Sequence, residues 1–135
     1  MNIHKQAVGC EYSILDNGIH QFVFTGKGNS GIDELFAYLS NLWAIHSADE
    51  TLYYLVDTTH AGGDTSMVQL LDRFRQLERT TDERPAGRTA IIHEPDVLIS
   101  LADSFIRTFA PRRDKTRFFR SGSEDSAIQW LLSVQ

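Results

Sequence analysis

Cysteine is nearly absent from this chain. Cys10 is the single one in 135 residues, so no intramolecular disulfide can form and no metal site can be built from cysteines. Long apolar runs are missing as well. No uninterrupted apolar stretch exceeds five residues, far short of the roughly 20 that a membrane-spanning helix needs. The start, Met1-Asn2-Ile3-His4-Lys5, lacks the apolar core of a signal peptide. No transmembrane segment and a cytoplasmic location are therefore expected. Positive charge is in deficit: the formal net charge is −5, which argues against a nucleic-acid partner. The five histidines, His4, His20, His46, His60 and His93, include no pair at i, i+4 and no other known ligand spacing, so no metal is expected.

What is present suits one globular domain spanning residues 1–135. The chain is 41% hydrophobic and 10% aromatic, too rich for a disordered segment and too short for two cores. No repeat, low-complexity tract or linker interrupts it. Charge is unevenly spread. Residues 1–72 hold two basic and nine acidic side chains, whereas residues 73–135 hold eleven basic and nine acidic, giving −7 and +2. Arg107, Arg112, Arg113, Lys115, Arg117 and Arg120 form a basic patch around one helix end and the strand after it. Such a patch complements a helix dipole and also suits an anionic or acidic partner.

Periodicity places the elements. Residues 11–15 and 20–25 read as antiparallel strands, joined at Asn17-Gly18, which tolerate the positive φ of a tight hairpin. A helix over residues 32–46 places Ile32, Leu35, Phe36, Leu39, Leu42 and Trp43 on one face, with Ser30 as its N-cap. The apolar run over residues 53–57 reads as a central strand covered on both sides. A loop, Thr58-Thr59-His60-Ala61-Gly62-Gly63, leads to a second helix over residues 64–79, capped by Asp64. The clearest loop, residues 80–87, precedes a strand over residues 88–93. A third helix follows Pro95 and stops at Pro111, and a strand over residues 115–120 and a helix over residues 123–132 complete the pattern. This order predicts an α/β fold, a mixed sheet of about five strands covered by about four helices.

The order, with three local signatures, resembles the SpoIIAA-like branch of the STAS superfamily. Phe24-Thr25-Gly26-Lys27 resembles the glycine-lysine that ends its second strand. Arg88-Thr89-Ala90-Ile91-Ile92 resembles its arginine-led fourth strand. Arg117-Phe118-Phe119-Arg120, with Ala127, Trp130 and Leu131, is similar to its closing strand and helix. The resemblance covers nearly the whole chain. It implies a bacterial, non-enzymatic regulatory or protein-binding module related to anti-sigma factor antagonists, which carry a phosphorylatable serine at the start of helix two. The matching hydroxyls here are Thr65 and Ser66, although Thr-Ser-Met replaces the usual Ser-Ser-Gly. The implied partner-binding loop comprises Asp57, Thr58, His60, Gly62, Gly63 and Asp64. A protein partner is expected and a homodimer is left open. The branch also resembles lipid-binding modules of the CRAL-TRIO type, so the alternative is a carrier or sensor of a small apolar or lipid-like ligand.

Other constellations point elsewhere only superficially. Gly26-Lys27-Gly28-Asn29-Ser30-Gly31 matches the dinucleotide fingerprint G-x-G-x-x-G, yet Asp57 lies 26 positions beyond Gly31, and a helix starting at Ser30 would not cradle a pyrophosphate. No G-K-[ST] closes the loop, and no cofactor is expected. Asp57, His60 and Ser66 supply the residue types of a hydrolase without a nucleophile elbow, so no enzyme is expected. His46 falls at a core-facing spacing, His60 has the plausible surface role, and Trp43 and Trp130 read as core anchors whose indole N–H groups need partners.

Overall fold

The computed structural model describes residues 9–25, 30–60, 72–73, 76–77, 83–94 and 115–133. Strands β1 (Cys10–Ile14) and β2 (His20–Phe24) pair antiparallel, with Cys10 opposite Phe24 and Ile14 opposite His20. Strands β3 (Thr51–Asp57), β4 (Ala86–His93) and β5 (Lys115–Arg120) follow. The sheet order is β1-β2-β3-β4-β5, and every neighbouring pair from β2 onward is parallel. The expected mixed five-stranded sheet is therefore present, with β3 at its centre.

The hairpin turn departs from expectation in one respect. Gly18 takes a φ of +87°, whereas Asn17 stays at negative φ. Gly18 N–H donates to the Leu15 carbonyl and Leu15 N–H to that of Ile19, both at 2.9 Å. This is a three-residue loop closed by one left-handed glycine, not a two-residue turn with both central residues left-handed. Asn17 contributes through its side chain instead, Oδ1 accepting the Ile19 N–H at 3.2 Å.

Two helices have defined bounds among the described residues, α1 (Ser30–Ile45) and α2 (Glu124–Leu132). Asp72, Arg73, Gln76 and Leu77 are also helical, within the span expected for the second helix. The rest of that span and the helix expected after Pro95 lie outside the described residues. α1 takes in Ser30 as its first residue, so Ser30, expected as the cap, is itself helical. Just inside this start the backbones approach closely, since a Cβ at Gly31 would meet the Gly9 carbonyl oxygen at 2.6 Å. Ser123, expected inside the last helix, sits at its N-cap without a capping side-chain hydrogen bond. Glu124 and Asp125 in the first turn suit the positive dipole end.

Strand alternation sorts the core onto two faces. On one face Phe22, Phe24, Leu52, Tyr54, Val56 and Ile91 pack with all six residues expected from α1, Ile32, Leu35, Phe36, Leu39, Leu42 and Trp43. On the other, Ile19, Leu55, Ala90, Ile92 and Phe119 pack with Ala127 and Leu131 of α2. β3 contributes to both clusters, which is why its sequence is nearly continuously apolar. Burying each such large side chain stabilises the fold by roughly 1.5–3 kcal/mol.

Candidate functional site

The four parallel strands deliver their last residues to one rim of the sheet, the edge at which ligands bind in open α/β folds. Each exit is pinned there. Thr58, just past β3, donates to the Ile92 carbonyl through both its N–H, at 2.9 Å, and its Oγ1, at 2.7 Å. Asp57 Oδ1 accepts the Thr59 N–H at 2.9 Å and the Thr59 hydroxyl at 2.6 Å. This Asx turn starts the loop in a set direction. Ser121 N–H, past β5, donates to the His93 carbonyl at 2.8 Å. His93 is buried, and its Nδ1–H donates to the Glu94 carbonyl at 2.7 Å. His60 stands exposed beyond this rim.

Of the expected loop, Asp57, Thr58 and His60 are thus placed together, while Gly62, Gly63 and Asp64 lie outside the described residues. So do both phosphoacceptor candidates, Thr65 and Ser66, and Arg107, Arg112 and Arg113 of the basic patch. Lys115, Arg117 and Arg120 are exposed on β5. Alternation puts Lys115 and Arg117 on the face that carries α2 and Arg120 on the opposite face. Arg117 lies over the Phe119 ring at 5.1 Å. Thr59 was not singled out from the sequence, although an Asp-x-Thr at a strand end is a recognisable Asx or hydroxyl turn signal.

A second polar cluster lies at the opposite rim, between the hairpin and the end of α1. Tyr12, His20 and Phe22 share the α1 face of the hairpin, and the Tyr12 hydroxyl is 2.8 Å from His20 Nδ1. His20 is only 7% exposed. Its ring lies edge-on to His46 at 6.3 Å and tilted against Tyr54 at 6.1 Å. Burial, then the nearby charge of His46, holds the His20 pKa below its ordinary value. Burial raises those of Tyr12 and Tyr38, whose rings stack at 4.8 Å.

His46 is not a packed core residue, as its spacing suggested. The helix ends at Ile45, and the part-exposed ring pairs with Glu50, Nδ1 to Oε1 at 2.5 Å. This hydrogen bond is the chief reason that Glu50 titrates below the usual carboxylate range. The two tryptophans also differ from one another. Trp43 is buried and its indole N–H donates to the Tyr54 hydroxyl at 2.9 Å. Trp130 is only half-buried and lies beneath the Arg88 guanidinium at 3.9 Å. The sequence signal for the His20 cluster was available in the hairpin's alternation, because residues 12, 20 and 22 fall on one face once Ile14 is set opposite His20.

An open cleft of about 370 Å³ separates α1 from helical residues 73, 76 and 77, lined by Asp33, Phe36, Ser40, Arg73 and Leu77 among others. An Arg73–Asp33 ion pair crosses it, and Arg73 lies over the Phe36 ring at 5.5 Å. Among the described residues no group of three or more His, Cys, Asp or Glu could hold a metal ion. No helix among them is long and apolar enough to cross a membrane.

Neither known family models nor curated proteins match the sequence. The fold does have a counterpart among solved structures: the crystal structure of an uncharacterized protein of the DUF3478 family from Shewanella loihica PV-4, described as having a SpoIIAA-like fold. The similarity covers 96% of this chain and 99% of that one, at 19% sequence identity and a TM-score of 0.58. The resemblance read from strand order and short signatures is matched by a shared architecture: this chain has a SpoIIAA-like fold.

Proposed function

We propose that this chain is a non-enzymatic, cytoplasmic binding module that engages a protein partner through the loop after β3 and the start of the helix beyond it. The observation that carries this reading is the exit from β3. Asp57 and Thr58 are committed to hydrogen bonds at the strand end, and the exposed His60 follows immediately. A rigid platform presenting a loop is the arrangement on which binding residues are commonly carried. Support also comes from how the polar groups are used. Asp57 Oδ1 accepts two bonds from Thr59, and His93 Nδ1 is engaged by a backbone carbonyl. These are structural roles, which favour presentation of a surface over covalent chemistry. A phosphate on Thr65 or Ser66 would add about −1.5 to −2 charge to the acidic half of the protein and so alter partner affinity.

A photo-crosslinking residue placed at position 60 tests the reading, with position 49 at the opposite rim as the control. Capture of one protein at 60 and not at 49, confirmed with the purified pair and weakened or strengthened by Thr65→Asp or Ser66→Asp, is the expected result. Equal capture at both positions overturns the loop as the binding element, and binding by both aspartate variants indistinguishable from the parent removes the phosphate switch, leaving an unmodified binding module or the carrier. Organic extraction of the purified protein covers the carrier alternative, which a stoichiometric lipid-like molecule would favour.

A further inference from the structure

We propose that Tyr12, His20, His46 and Glu50 form a pH-sensitive latch, which holds the β1–β2 hairpin against the end of α1 at neutral pH and loosens it on acidification. The four residues come from four places: β1, β2, the residue after α1, and the residue before β3. They link the outer hairpin to the helix that covers it. Glu50 also accepts the Ser47 N–H, at 3.3 Å, and its carbonyl accepts the Ala86 N–H, at 3.0 Å. Its backbone is therefore tied to the rim of the sheet, while its carboxylate pairs with His46.

His20 is the titrating centre. In the neutral tautomer that carries its hydrogen on Nε2, Nδ1 accepts the Tyr12 hydroxyl proton. Adding a proton makes Nδ1 a donor as well, so the Tyr12 oxygen must become the acceptor and its own hydrogen must turn elsewhere. The Tyr12–His20 contact then has to reverse its direction while a charge is created at a 7% exposed site. Such a charge is costly without a counter-ion. Among the described residues, the groups facing His20 are the hydroxyl-bearing Tyr12 from β1 and Tyr54 from β3, with His46 from the end of α1. Tyr38 of α1 stacks behind Tyr12. None of these supplies a negative charge directly to His20. The one nearby carboxylate, Glu50, is engaged by His46. A protonated His46 adds a like charge facing His20, and Glu50 compensates it.

Because the native state resists the proton and an opened hairpin does not, opening is favoured as pH falls below about 6.5, the value for a free imidazole. The ratio of opened to closed hairpin rises by up to about tenfold per pH unit until the native His20 itself titrates. The strand nearest the edge, β1, is the element released.

Histidine NMR titration and amide hydrogen exchange of the full chain test the latch together. The expected result is a His20 midpoint below that of a free imidazole, and exchange of the β1–β2 amides that accelerates on acidification beyond the intrinsic trend, while the β3–β4 amides keep theirs. His46→Gln should raise the His20 midpoint by removing a like charge, and Glu50→Gln should lower it by leaving His46 uncompensated. These opposed shifts are not expected of a purely packing role. A His20 midpoint at the free-imidazole value, or midpoints unmoved by both variants, overturns the proposal. So does loss of β1–β2 protection in parallel with β3–β4, which would mean global unfolding and no latch. The parent titration and exchange stand even where a variant fails to fold.

Discussion

Gly31 is confined by a neighbouring backbone. Alanine inside a helix ordinarily gains about 1 kcal/mol over glycine, but here the added Cβ would meet the Gly9 carbonyl oxygen at 2.6 Å and the Phe24 ring at 3.1 Å. The backbone oxygen cannot swing away as a long side chain can. Gly31→Ala should therefore reverse the usual sign and destabilise by roughly 1–3 kcal/mol, as overpacking does. A urea midpoint equal to or above the parent's would show that α1 can withdraw from the chain before β1. A similar single-group dependence joins Trp43 and Tyr54. Tyr54→Phe keeps the ring and removes the hydroxyl that accepts the buried indole N–H at 2.9 Å. A loss of about 1–3 kcal/mol is expected from the acceptor withdrawn, against a loss near zero if another acceptor takes its place.

At the scale of the element, α1 was legible almost entirely from spacing. Its six expected apolar residues are all buried, because a period of 3.6 admits one inward face. Leu39→Ala at 6% exposure should cost about 2–5 kcal/mol by leaving a cavity, and an unchanged denaturant midpoint would contradict the packing. The strands show what spacing cannot supply. β4 begins at Ala86, although residues up to Gly87 read as loop, because pairing with Thr51 and Leu52 of β3 extends the ladder over Ala86 and Gly87. The cysteine at position 10 joins β1 for the same reason, through Phe24. Pairing partners are distant in sequence, so local chemistry does not announce them. Within the candidate site the loop exit was legible from its position after an apolar strand, whereas the His20 cluster depends on contacts between β1, β2 and α1. Trp130 was misread for a related reason. Its helix face is amphipathic, but Arg88 from β4 covers the ring from outside, at 3.9 Å, and donates through Nη2 to the Trp130 carbonyl at 2.9 Å. That carbonyl belongs to the last turn of α2, where a cation also suits the dipole. Arg88→Lys should not rescue the contact, because a point ammonium offers neither the planar stack nor the fork. Near-ultraviolet circular dichroism and the thermal midpoint should fall together for Arg88→Lys and Arg88→Ala. A lysine variant as stable as the parent would reduce the role of Arg88 to charge alone.

Across the whole molecule, Cys10 reports on the sheet as a unit. It is fully buried between the sheet and α1, and its thiol pKa is pushed up to about 12 by burial, then by the charges of Glu34 and Glu11. Glu34 is fixed beside it, its Oε1 accepting the Cys10 N–H at 2.8 Å. The thiolate is the reactive form, so the native protein should resist alkylation at pH 8. In rising urea, labelling should follow the loss of tryptophan fluorescence if the sheet opens as one unit. The same burial sets a pH dependence opposite in sense to that of His20. Between pH 9 and about 12 the folded thiol keeps its proton while the unfolded one releases it. The folded state then binds more protons, so stability falls as pH rises, by up to about 1.4 kcal/mol per pH unit from this group. Tyr12 and Tyr38 are also raised and act in the same direction at the upper end. Cys10→Ala should therefore flatten the alkaline slope of unfolding free energy without abolishing it, the residue left being that of the two tyrosines. An unchanged slope would mean that the thiol is reached by water in the native state. Rapid alkylation of the native parent at pH 8 would point the same way and would place the opening at β1, since Cys10 lies on that strand.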